Sequence, residues 1–543
     1  MELKNHKLSG WYNLYSSEKI VNIDFDDFIR NIDNEFPGGS FYNLPQTDYK
    51  SLIFKSQNSY GYENLNIYTL LSIINILMKQ EKRGLFGTRR KKILFVVSDQ
   101  SIFDERTKNA VIRFLNLKHH VYSFTNKCVN EFIIDSTIDS MHLDYGFYLS
   151  YDQVNGTYHL KIYRDKNIIE QDELEKIKHE LLKHQKNFML SLKNDFISLN
   201  VDKVIDVALT KSLKRFENKT YQFKNENNFN VYTMIDDNLT EYILNRFFTR
   251  SNIKYLKLSP LLNKDLLGNS KLAFLKWLRR TNYKADIILI IDKINNIKLI
   301  VRTKKTYLTL NEDQIAYLYI NSEYLHWKQS GQLENTNFII PVDASEIVIN
   351  LLKIFKIDYS YENDPKDINN VIFSYNRSSF SNSTDHKLNY ENFNFLFNLL
   401  FALRNYKDNN NLFTYKISKM EETIKNLYTE ISYINRDLDL TQEWLKTLYG
   451  RDKYSRKLLI SSIEDINFDN GKMLYLAKFK IKSKFAETTI FVSYNKMTKN
   501  IEFKYESRIK QKTGLWLIQY FYFLTLKNKI ERIYKRELAR LKK

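Results

Sequence analysis

Asp292 ends an apolar stretch, Ala285-Asp286-Ile287-Ile288-Leu289-Ile290-Ile291-Asp292, that reads as a buried strand presenting a carboxylate. A hard cation needs several oxygen ligands. The residues that follow, Lys293-Ile294-Asn295-Asn296-Ile297, supply no second carboxylate and add an ammonium group. Glu312-Asp313 opens a helical stretch, where acids complement the helix dipole; that reading is simpler than a catalytic pair. Lys496 and Lys499 are able to hold an anion, with a solvated hairpin as the plainer alternative. His119-His120 and His142/His159 lack helical i, i+4 pairing or a cysteine at zinc spacing and read as polar surface residues. Cys128 has no base beside it in sequence and reads as buried or inert. Ser378 to Thr384 is a candidate ligand or phosphorylation loop, with a flexible connector as the favoured reading.

The elements that must position these residues alternate between strand and helix. Leu65 to Met78 has helical spacing, and Ile93-Leu94-Phe95-Val96-Val97 is a continuous run suited to a parallel strand buried on both faces. Asp99 follows, then a helix over about Asp104–Leu117 and the strand Val121–Phe124, which makes a βαβ unit. Tyr145–Leu149 is a further strand, with Asn155-Gly156 as a turn before Tyr158–Tyr163. A charged helix is expected from about Glu170 to Leu192. A second α/β unit runs to the Asp292 strand, with strands near Asn230–Tyr232 and Ile253–Leu256. A third holds Asn337–Ile340, a helix from Ser345, and Val371–Phe373. Met473–Lys480, Thr488–Ser493 and Asn500–Tyr505 read as antiparallel strands before an aromatic C-terminal helix from Gly514. Apolar residues around that helix predict burial in the fold or against another protein. The expected architecture is three consecutive α/β domains (1–195, 196–308, 309–443) and a smaller α+β domain (444–543).

Composition narrows the function classes. The chain has 543 residues, 43% of them hydrophobic and 27% charged, as in a folded protein. It lacks an apolar run of about 18 residues and an N-terminal apolar region, so neither a transmembrane helix nor a secretory signal is expected. One cysteine excludes an internal disulfide framework and fits a cytoplasmic location. The net charge of +20 is scattered, and its longest basic cluster, Arg89-Arg90-Lys91-Lys92, directly precedes a strand. Abundant Lys, Asn, Ile, Tyr and Phe are what AT-rich codons specify. The distribution therefore argues against nucleic-acid binding. Glycine is scarce, 13 in all, which leaves little material for phosphate-cradling loops.

The order of elements resembles the α-D-phosphohexomutase superfamily, specifically its long phosphoglucomutase/phosphomannomutase branch. Asn66-Ile67-Tyr68-Thr69 is similar to the N-I-Y-T stretch of that branch. Val96-Val97-Ser98-Asp99 is similar to its strand ending in Tyr-Asp-Ser-Arg, and Ala285 to Asp292 to the strand feeding its metal loop. Asp343-Ala344-Ser345-Glu346-Ile347 is similar to its V-T-S-E-I helix start. The resemblance implies three phosphohexomutase-like α/β domains, a C-terminal α+β domain, and four chemical sites.

Each implied site is altered. Ser150-Tyr151-Asp152-Gln153-Val154 stands at the phosphoserine loop T-A-S-H-N, placing Asp152 at the nucleophile with Ser150 as the alternative. Of the three metal-loop aspartates only Asp292 remains, so no metal is expected. Ser374-Tyr375-Asn376-Arg377-Ser378 replaces the sugar loop G-Y-E-E-S and lacks both glutamates. Ser493 to Asn500, with Lys496 and Lys499, replaces the phosphate loop R-P-S-G-T-E-P-K. Phe54 to Gly61 replaces F-G-T-G-G-x-R-G and puts Tyr60 at the arginine.

These losses imply a catalytically inactive pseudoenzyme without a cofactor. Its expected role is a structural or interaction subunit of a cytoplasmic assembly, with a cytoskeletal or motor-linked one as a candidate. Other proteins are the expected partners, and the basic end Lys527 to Lys543 is a candidate for peripheral contact with an acidic partner or membrane surface. The alternatives are a divergent Mg²⁺-dependent mutase interconverting hexose 1- and 6-phosphates, or a sugar-phosphate sensor that binds without turnover.

Overall fold

A computed structural model describes the chain outside residues 1, 48–49, 81–89, 100, 126–127, 153–155, 170, 184–185, 218–228, 259–284, 292–296, 305–306, 335, 367–370, 378–379, 385–386, 390–391, 409–411, 436, 471–472, 497, 511–515 and 543. Two compact units divide it, Met1–Lys211 and Ser212–Lys543.

The first unit is built on one mixed sheet. Its strands are β1 (Gln46–Thr47), β2 (Leu52–Phe54), β3 (Lys92–Val97), β4 (His120–Phe124), β5 (Tyr145–Asp152), β6 (Thr157–Arg164), β7 (Asn167–Ile168) and β8 (Ile197–Leu199). They lie in the order β1-β2-β6-β5-β3-β4-β8, with β7 on β6. The strands β5, β3, β4 and β8 run parallel, and β6, β2 and β1 extend the sheet antiparallel. The apolar run Ile93–Val97 sits at the centre and is buried throughout, as both-face burial of a parallel strand requires. The helix Glu105–Leu115 is capped by Asp104, which accepts from the Thr107 N–H at 3.0 Å.

The second unit holds three sheets. One contains β9 (Asn230–Ile235), β10 (Lys254–Lys257), β11 (Ile287–Ile291), β12 (Ile297–Arg302) and β13 (Tyr307–Leu310), in the order β10-β9-β11-β12-β13. The next contains β14 (Asn337–Ile340), β15 (Tyr359–Tyr361), β16 (Val371–Tyr375), β17 (Phe380–Thr384) and β18 (Lys387–Asn389), in the order β15-β14-β16-β17-β18. Both place the second strand outside the first and add the last two antiparallel. The run β4-β3-β5-β6 of the first unit has the same plan, so one topology occurs three times. The last sheet is antiparallel: β19 (Leu427–Ile434), β20 (Lys453–Ser455), β21 (Leu458–Asp469), β22 (Met473–Lys482), β23 (Ala486–Asn495) and β24 (Asn500–Ile509), in the order β19-β24-β23-β22-β21-β20.

Several expectations are corrected by these elements. The helix expected over Glu170–Leu192 spans Gln171–Leu181; Phe188 and Leu190 beyond it pack on the core from chain without regular secondary structure. Phe380–Thr384, expected as a flexible connector, is β17, because its backbone pairs with β16 on one side and β18 on the other. β8 pairs with β4, so the first sheet continues past residue 195, and β19 adds to the last sheet ahead of residue 444. The C-terminal helix Trp516–Leu541 is one-sided: Phe523, Leu526, Ile530, Tyr534 and Leu538 are buried in the core of the last sheet, whereas Ile518 and Phe521 are exposed. Among the described residues no helix is long and apolar enough to cross a membrane.

Candidate functional site

The densest polar chemistry in the second unit gathers where β16 and the helix Glu346–Phe355 meet β24. Arg377, two residues beyond Tyr375 at the end of β16, donates from Nε to Asp343 Oδ2 at 2.6 Å. Its terminal nitrogens also reach Asp343 and Glu502. Lys504 donates to Asp313 Oδ2 at 2.8 Å and to the Asp343 carbonyl at 2.5 Å, with its ammonium 3.6 Å from the Asp343 carboxylate. Asp313 accepts from the Tyr375 hydroxyl at 2.7 Å and from the Ser345 N–H at 3.1 Å. Glu506 accepts from the Glu346 N–H at 3.0 Å. The first N–H groups of helix Glu346–Phe355, which lack intrahelical acceptors, are thus met by the chain's own carboxylates. Ser345 caps the same helix by accepting from the Ile347 N–H.

These charges are dry: Asp343 is 0% exposed, Asp313 3%, Glu502 3% and Lys504 5%. Burial pushes the Asp343 carboxyl up, but Arg377 and Lys504 overcome it and hold the group below the usual carboxylate range. Burial opposes the charge of Arg377 and Lys504, yet their carboxylate neighbours raise both. Burial, reinforced by Asp343, raises Glu362 to about 7. Glu506 is likewise pushed up to about 7 by burial, with Asp313 adding to it. The arrangement ties a loop, a helix start and a strand together, and Arg377 stacks its guanidinium 5.8 Å from the Tyr475 ring.

The residues named from sequence are scattered by comparison. Ser150, Tyr151 and Asp152 do not form a loop; they continue β5, paired with His159, Tyr158 and Thr157 of β6. The turn at Gly156, with φ +66°, closes the hairpin directly after them, and the Gly156 N–H donates to the Asp152 carbonyl at 2.8 Å. His159, expected at the surface, is half-buried: its Nδ1 lies 3.1 Å from Ser51 Oγ and its Nε2 3.1 Å from Thr157 Oγ1. Cys128 is exposed rather than buried. Asp292 and Ser378 lie outside the described residues; Ile297, after the former, pairs with Ile291 in a hairpin. Asn376 is half-buried beside Arg377. Ser493 is buried opposite Glu502, Lys496 pairs with Asp469, and Lys499 is exposed at the tip of the β23–β24 hairpin with φ +54°. Asp313, read as the acid of a helix first turn, is that and also the counter-ion of Lys504.

In the first unit, Tyr60 stands where the resemblance implies an arginine. Tyr60 packs against Trp11, Tyr15 and Phe28, with ring centroids 6.4, 5.4 and 5.6 Å apart. Asn66 holds that loop by donating to the carbonyls of Ser59, Gly61 and Asn64, while its Oδ1 caps the next helix through the Thr69 N–H at 2.9 Å. Tyr68 stacks on Trp11 at 4.3 Å. The N-I-Y-T stretch therefore has a structural job that needs no substrate. Sequence reasoning missed Glu502, Lys504 and Glu506, and the available signal was three charges alternating with Ile501, Phe503 and Tyr505.

The sequence matches no protein-family model and no curated protein. The structure is similar to the crystal structure, in its open form, of the exocytosis-sensitive phosphoprotein pp63/parafusin (phosphoglucomutase) from Paramecium. The two share a TM-score of 0.53 and 12% identity over 91% of this chain and 96% of that one. The chain has a phosphoglucomutase-like, multidomain mixed α/β fold.

Proposed function

We propose that this chain is a non-catalytic, phosphoglucomutase-like protein that serves as a structural or interaction subunit of a cytoplasmic protein assembly. The observation that carries this reading is Arg377. At the position the resemblance assigns to sugar binding, its guanidinium is turned inward onto Asp343 and Glu502. Its Nε and Nη1 are committed to Asp343 and Glu502, so an incoming sugar engages those donors only by breaking an ion pair, a change that costs several kcal/mol. The beginning of helix Glu346–Phe355 is likewise occupied by Asp313 and Glu506 and has no N–H directed at a substrate phosphate from Ser345 or Glu346.

The test combines turnover and association. Purified protein, with Mg²⁺ and a hexose bisphosphate activator, is expected to leave glucose 1-phosphate and mannose 1-phosphate unconverted. Tagged protein isolated from its native cells is expected to bring other proteins with it in fixed ratio. Measurable conversion to the 6-phosphate would overturn the non-catalytic reading, and recovery of the chain alone as a monomer would overturn the subunit role.

A further inference from the structure

Six carboxyl groups, Glu312, Asp313, Asp343, Glu362, Glu502 and Glu506, gather with two cations, Arg377 and Lys504, in the cluster joining β16, β24 and helix Glu346–Phe355. The two helices and β24 bring most of the charges, and the other strands packed there bring neutral groups. Helix Glu312–Gln329 brings Glu312 and Asp313. The helix start brings Asp343 and, at its rim, Glu346, which Arg508 neutralises at 2.8 Å. β16 and β22 bring the neutral hydroxyls of Tyr375 and Tyr475, with Asn470 beside Glu362, and β19 brings Tyr433. β24 itself supplies Glu502, Lys504 and Glu506. An interior cannot hold that excess of negative charge in ionised form. Glu506 Oε2 is buried there without a hydrogen-bond partner, which fits a carboxyl that carries a proton in place of a cation.

We propose that this cluster is a proton-operated latch between the third and last sheets: protons on Glu362 and Glu506 keep it closed, and their release loosens β24 from the helix start. The inference is independent of whether the chain turns over a sugar. The direction follows from linkage. Both carboxyls are raised to about 7 in the closed state, so closure takes up protons. Their contribution is complete below the range of a solvated glutamate and is lost as pH climbs through about 7. Asp343, held low, acts oppositely and only in acid.

Hydrogen–deuterium exchange of the full chain between pH 6 and pH 8, corrected for the intrinsic pH dependence of exchange, tests the latch. Amides of residues 345–347 and 500–509 are expected to exchange about tenfold faster at pH 8 for each carboxyl that ionises. Glu506→Gln and Glu362→Gln, which imitate the protonated form, are each expected to remove about one factor of ten and to leave the segment closed at pH 8. Glu346→Gln, at the solvated rim, is expected to retain the wild-type response. Corrected exchange that does not change with pH, or Gln variants that keep the full pH response, would overturn the proposal. So would protection at pH 8 restored by millimolar Mg²⁺ or Ca²⁺, because the cluster would then be a cation site.

Discussion

Two loops of this chain stand where the superfamily resemblance places an arginine or a pair of glutamates, and they are closed by opposite chemistry. In the first unit, Tyr60 joins Trp11, Tyr15, Phe28, Phe41 and Tyr62 in an aromatic core. In the second, Arg377 is pinned by Asp343 and Glu502 within a buried ionic cluster. Aromatic packing draws on burial of apolar area and ring geometry and is insensitive to protonation at neutral pH. The ionic cluster is directional, and Arg377 and Lys504 rely on their carboxylate partners remaining charged. A loop can thus be stabilised by either route, and the two routes fail differently.

That contrast can be broken first at its centres. Trp11→Ala is expected to cost ~3–5 kcal/mol, since the indole is fully buried and stacked on Tyr68. Urea unfolding should place the loss in the first unit, with little dependence on salt or pH. Arg377→Ala is expected to cost a similar ~3–5 kcal/mol by leaving Asp343 and Glu502 without their shared cation. Exchange should rise in β24 and not in the first unit; equal exposure of both would show that the loops do not act separately.

Smaller changes sharpen it. Asn66→Ala is expected to cost ~1–2 kcal/mol, because it removes a helix cap and the clamp on residues 59–64. Thermal melting and proteolysis near Tyr60 would read that loss. Arg508→Ala removes a half-exposed pair with Glu346 and is expected to cost less than ~1 kcal/mol, vanishing in 0.5 M salt. A larger, salt-resistant effect would mean that the dry cluster reaches further out than its rim.

The central strands were legible because their sequences demand burial on both faces. Ile93–Val97 and Ile287–Ile291 have no polar residue with which to face water. β17 was not legible. Its Ser381-Asn382-Ser383-Thr384 sequence has turn composition, and only pairing with β16 and β18 makes it a strand. The helix ending at Leu181 was overread because Phe188 and Leu190 continue the apolar supply beyond it from chain without regular secondary structure. The ionic cluster was hidden by a sound rule: alternation in β24 normally signals one wet face. Here Glu502, Lys504 and Glu506 face the start of helix Glu346–Phe355, and partners 120 or more residues away in the chain decide that placement.

β24 carries a consequence for how the last sheet selects its own assembly. Ile501, Phe503 and Tyr505 enter one core, while Glu502, Lys504 and Glu506 enter the cluster on the other face. Sliding the strand by one position would exchange the two sets, driving three charged groups into hydrocarbon and leaving Asp313 and Arg377 opposite rings. On a strand with one solvated face, such a slip forfeits only the apolar half. Here both halves object, so a slipped register of the β23–β24 hairpin is penalised from both faces of the strand.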